Sequence, residues 1–150
     1  MTTSINRKIT KMGAWGTGIS SNDTYADIYE QFIDLYNEGL SVPEITKRLT
    51  SENKETLDIP EDANNFWFAV ANGQCECKAL DNEIFLKVEQ IIQSGYDLQV
   101  WNELEASPAD LKAREKALNN FLTKLQTEKE KRENEPKRNY IIQFSKREIV

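Results

Sequence analysis

Asn22-Asp23-Thr24-Tyr25-Ala26-Asp27-Ile28-Tyr29-Glu30-Gln31-Phe32-Ile33-Asp34-Leu35-Tyr36-Asn37-Glu38-Gly39 carries a helical pattern from cap to cap. Its apolar residues, Tyr25, Ile28, Tyr29, Phe32, Ile33, Leu35 and Tyr36, recur at three- and four-residue intervals. That spacing draws a broad stripe down one side of a helix. Asn22 or Ser21 supplies a capping side chain at the start, and Gly39 suits the left-handed position that closes a helix. Asp23, Asp27, Glu30 and Asp34 fall together on another side. The stretch therefore predicts a helix to about Glu38 that is apolar inward and acidic outward.

The same grammar repeats downstream. Ser41-Val42-Pro43-Glu44 has the form of a capping box and predicts a short helix carrying Ile45 and Leu49. The polar run from Thr50 to Thr56 reads as a loop. Asp58-Ile59-Pro60-Glu61 repeats the cap arrangement ahead of a helix reaching about Ala79, with Phe66, Trp67, Val70, Ala71 and Cys77 as apolar positions. Phe66, Val70, Gly73 and Cys77 share one face, where Gly73 lets another helix come close. The consecutive rings of Phe66, Trp67 and Phe68 spread over about 200° of a helix, so either this helix is central and buried on most sides, which is the expectation favoured, or one ring is presented outward. Asp81 caps a further helix with Ile84, Phe85, Val88, Ile91 and Ile92 inward and Gly95 at its end. Asp97 to Leu104 reads as a short helix or turn. Ser107-Pro108-Ala109-Asp110 opens the last helix, with Leu111, Leu118, Phe121, Leu122 and Leu125 inward. These elements predict an all-α domain, a compact bundle of five or six helices over residues 12–127. Residues 1–11 read as an arm. Residues 128–150 read as a charged linker or helix end, followed by a strand-like segment, Tyr140-Ile141-Ile142-Gln143-Phe144.

Ahead of the first helix lies Met12-Gly13-Ala14-Trp15-Gly16-Thr17-Gly18. Gly13, Gly16 and Gly18 read as a tight structural loop around the large apolar anchor Trp15. This motif, followed by a polar Asn-Asp and a helix, resembles the opening of a group of small bacterial proteins of unknown function. The resemblance continues through Phe66-Trp67, Glu76-Cys77-Lys78, Leu80-Asp81 and Ser94-Gly95-Tyr96-Asp97-Leu98, covering about residues 12–125. It implies a shared fold and a bacterial or phage origin. In that group the motif stands at the initiator methionine, which implies that Met1 to Lys11 is an added arm.

The chain has no histidine, which removes every Ser-His and Cys-His nucleophilic system and most zinc sites. Cys75 and Cys77 would point about 200° apart on a helix, so a disulfide between them is disfavoured and a reduced, cytoplasmic state is expected. Of the two, Cys77 is expected in the core and Cys75 partly exposed. No apolar run is long enough to span a membrane. The loop Gly13 to Gly18 matches neither a dinucleotide fingerprint nor a P-loop, and Asp23 and Asp27 would oppose an anion bound beside it. No catalytic residue, metal ligand or cofactor is assigned.

Charge is segregated. Residues 20–110 hold nineteen Asp or Glu against five Lys or Arg, whereas the first eleven residues carry three basic residues and no acid. Such a body disfavours direct binding of nucleic acid and favours a basic protein partner. The expected function is that of an acidic, immunity-like binder or inhibitor, with Asp23, Asp27, Glu30 and Asp34 as its binding face. The alternatives are a small-ligand-binding or metal-dependent enzyme domain using the Gly13–Gly18 loop and nearby carboxylates, and a structural subunit assembling through residues 140–144.

Overall fold

A computed structural model of the chain describes residues 18–133. After a 3-10 turn at Ile19–Ser21, seven α-helices follow among the described residues: α1 Asp23–Asn37, α2 Val42–Glu52, α3 Lys54–Leu57, α4 Pro60–Glu76, α5 Asn82–Gln93, α6 Tyr96–Glu103 and α7 Pro108–Glu133. This is the all-α bundle that the periodicity predicts. Gly13, Trp15, Gly16 and the segment 140–144 lie outside the described residues.

The helix starts follow local chemistry. Asn22 Oδ1 accepts the amide of Tyr25 at 2.9 Å, Asp81 Oδ1 that of Ile84 at 2.8 Å, and Ser107 Oγ that of Asp110 at 3.1 Å. Ser41 and Glu44 form a reciprocal capping box. Three helix ends close by the same double bond pattern, in which the two amides beyond the cap reach back into the last turn. At α1 the residue taking positive φ is Gly39, but at α4 it is Lys78 (φ 58°) and at α6 it is Glu105 (φ 66°).

Helix α4 is the axis of the bundle, packing against α1, α3, α5, α6 and α7. Its residues 64–75 are buried except for half-buried Trp67. On α1, Tyr25, Ile28 and Phe32 point into this core, and Gly73 of α4 lies directly beneath the Phe32 ring. A Cβ at Gly73 would stand 2.7 Å from two of that ring's carbons. The expected close approach at Gly73 is therefore made, and α1 is its partner.

Three local expectations are corrected. Residues 50–56 are not a loop: α2 runs to Glu52 and α3 follows one residue later. Thr50 and Asn53 return their side-chain hydrogen bonds to the carbonyls of Thr46 and Leu49, at 2.7 and 2.8 Å, so polarity there does not interrupt the helix. Asp58 does not cap α4, because it closes α3; Ile59 stands at the cap position with no side-chain bond, followed by Pro60. The cysteines are also reversed, Cys75 being buried and Cys77 half-buried at the helix end. A central helix buries most of its circumference, so a single-stripe reading of α4 assigned them wrongly.

Candidate functional site

The acidic side of α1 is where the structure brings the sequence-derived binding residues together. Asp23, Asp27, Glu30 and Asp34 are all exposed, because the opposite side of the helix is committed to the core. Asp23, Asp27 and Glu30 line an open groove with Thr24 of α1, Asn53 at the end of α2 and Thr56 of α3. Asp34 continues the row one turn further on, outside that groove. None of the four makes an ion pair among the described residues; Asp27 accepts one hydrogen bond, from Gln31 at 3.3 Å. Thr24 Oγ1 donates to Asp62 of α4 at 3.0 Å, tying the groove's base to the central helix.

The charge is concentrated on this side of the chain. Residues 18–62 contain eleven Asp or Glu and three Lys or Arg. Helix α7 is the counterweight, with seven Lys or Arg against five Asp or Glu. No group of three or more His, Cys, Asp or Glu among the described residues is arranged to hold a metal ion.

Beneath the surface lies an ion pair that the sequence reading missed. Arg114 of α7 is fully buried, and its Nε and Nη2 meet the two carboxylate oxygens of Asp97 of α6 at 2.8 and 3.3 Å. Nη2 also donates to Asn65 Oδ1 at 3.2 Å and Nη1 to the carbonyl of Gly18 at 3.4 Å. Asn64 Nδ2 donates to Asp97 Oδ1 at 3.2 Å. The guanidinium carbon stands 4.7 Å from the Trp101 ring centroid. Both charges are thus bidentate and hydrogen-bonded, the condition under which a buried pair is tolerated. The pair joins α4, α6 and α7 to Gly18, the last residue of the glycine motif, which itself takes ordinary extended backbone (φ −67°). The available signal was Arg114 standing where the stripe between Leu111 and Leu118 calls for an apolar residue.

A second polar chain crosses from α7 to α1. Lys124 Nζ donates to Asn72 Oδ1 at 2.6 Å, and Asn72 Nδ2 donates to the Tyr25 hydroxyl at 2.7 Å. Tyr29, stacked on Tyr25, hydrogen-bonds Glu76. Burial, then the bond to Glu76, pushes the Tyr29 phenol up to about 12, and burial raises Tyr25 well above the usual phenol range. Burial also raises both thiols, so neither Cys75 nor Cys77 is activated as a thiolate.

No protein-family model, curated protein or solved structure matches the chain. No helix among the described residues is long and apolar enough to cross a membrane.

Proposed function

We propose that the protein is an acidic binding protein that captures a basic protein partner, in the manner of an immunity or inhibitor protein, through the outer face of α1. The observation that carries this reading is the row Asp23, Asp27, Glu30 and Asp34, four exposed carboxylates with no ion-pair partner among the described residues. Uncompensated like charges on one rigid helix destabilise the free protein slightly, and a cationic surface removes that penalty on docking. The seating of Phe32 against Gly73 supports the reading, because it fixes the helix that presents the row and limits the ordering cost of binding. The excess of acids through residue 62 adds long-range attraction for a basic surface and repels nucleic acid.

The test is affinity capture from the native host with the intact chain and with a variant in which Asp23, Asp27, Glu30 and Asp34 are all replaced by Ala. The reading expects a protein with a basic surface to be retained by the intact chain and lost by the variant. A partner that is itself acidic, or one retained equally by both, would refute it.

A further inference from the structure

On the side of α4 where Trp67 lies, a second groove runs between α4, α5 and the first residue of α6. Its walls are Ala63, Asn64 and Trp67 on one side and Lys87, Gln90 and Ile91 on the other, with Ser94 and Tyr96 at one end. Two aromatic surfaces are available in it: half-buried Trp67, and Tyr96, which is 40 % exposed. Lys87 Nζ stands 4.7 Å from the Trp67 ring centroid, and no carboxylate lines the groove.

Asn64 supplies the decisive atom. The residue is only 2 % exposed, and its carboxamide is fixed because Nδ2 donates to Asp97, itself locked by Arg114. A carboxylate accepts and never donates, so the nitrogen must be the end facing Asp97. The carboxamide oxygen accepts no hydrogen bond among the described residues, yet no buried side-chain oxygen there is left unsatisfied. Oδ1 therefore keeps some solvent access, on a residue that lines the groove. It is an acceptor held in place by a buried ion pair, without a hydrogen-bond donor among the described residues, at the edge of a groove that Trp67 and Tyr96 also line.

We propose that this groove binds a free nucleoside monophosphate or a ligand of the same chemistry: a flat heteroaromatic ring with an N–H donor on its edge and one anionic group. Each part has its counterpart. The ring stacks on Trp67, as bases do on exposed aromatic faces. The edge donor meets Asn64 Oδ1. The exposed Lys87 ammonium leaves the indole face to pair with the phosphate. The groove's volume, about 400 Å³, lies within the range of small-molecule sites. The acidic body opposes a long polyanion but tolerates a single phosphate beside Lys87. This inference uses none of the α1 carboxylates, so it and the proposed function fail independently.

The experiment is calorimetric titration of the full chain with AMP, GMP, CMP and UMP, with two-dimensional NMR following the indole N–H signals. At least one nucleotide is expected to bind and to shift the Trp67 signal while leaving Trp101 in place. Its nucleoside, lacking phosphate, is expected to bind roughly tenfold more weakly. Lys87→Ala, a change at an exposed side chain, is expected to bring the nucleotide down to the affinity of the nucleoside and to leave the nucleoside unaffected. Absence of binding by all four at millimolar concentration, equal affinity for Lys87→Ala and the parent, or tighter binding of a single-stranded oligonucleotide than of the mononucleotide would overturn the proposal.

Discussion

Replacing Gly73 with alanine isolates the contact that seats α1 on the central helix. An alanine Cβ would lie 2.7 Å from Cγ and Cδ1 of Phe32 and 3.0 Å from Cδ2. Carbon atoms in cores sit about 3.5–4.0 Å apart, so α1 or the ring must retreat by about 1 Å. Phe32 is fully buried and has no solvent to move into. Overpacking of this kind costs about 1–3 kcal/mol, against which alanine in a helix interior gains about 1 kcal/mol over glycine. The net expectation is a loss of roughly 0–2 kcal/mol, read from urea unfolding followed by circular dichroism. Phe32→Ala, which removes Cγ and both Cδ atoms, should on its own also destabilise, since it leaves unfilled space. In that background, however, the clash is relieved, and Gly73→Ala should be neutral or stabilising. The two changes should therefore couple by at least about 1 kcal/mol. A Gly73→Ala protein more stable than the parent, or strictly additive effects, would refute the packing described for α1 and α4.

Arg114→Ala should destabilise by about 3–5 kcal/mol because it strands buried Asp97, whereas Arg114→Met combined with Asp97→Leu should cost clearly less; thermal unfolding compares them. Glu105→Gly should stabilise by roughly 0.5–1 kcal/mol, since Glu105 holds a positive φ that glycine adopts freely; a lower denaturation midpoint would contradict this. Tyr29 contributes a pH dependence whose sign follows from its raised pKa. The folded state holds the phenolic proton more tightly than the unfolded chain, so this stability is intact below about 10 and is lost as pH rises toward about 12. Tyr29→Phe should flatten that alkaline decline, as followed by unfolding at stepped pH.

Local signals in the chain carried most of the fold. Caps at Asn22, Ser41, Asp81 and Ser107 were legible because each acts on an amide three residues away. The acidic row on α1 was legible for the same reason, being a matter of helical period alone. Its groove was not, because Thr56 joins it only once residues 54–57 turn into a helix. The Asp58 cap and the cysteine assignment failed where one element's end consumed the signal for the next, and where a central helix had no single buried side. Arg114 could be noticed as a misplaced cation, but nothing local pairs it with Asp97, seventeen residues earlier and on another helix. The open oxygen of Asn64 is a consequence of that pairing and was invisible for the same reason.

The role proposed for α1 is to present its carboxylates to a cationic partner. Stopped-flow association with the captured partner tests it most directly, comparing the parent with a variant carrying Asp27→Lys and Glu30→Lys across a salt series. Surface charges that steer encounter act on the association rate and are screened over about 8–10 Å at physiological salt. The parent's association rate is expected to fall steeply with salt, and the double reversal to lower it roughly tenfold or more at low salt with little change in dissociation. An association rate indifferent both to salt and to the reversal would contradict it and leave the four carboxylates as a solvated helix face.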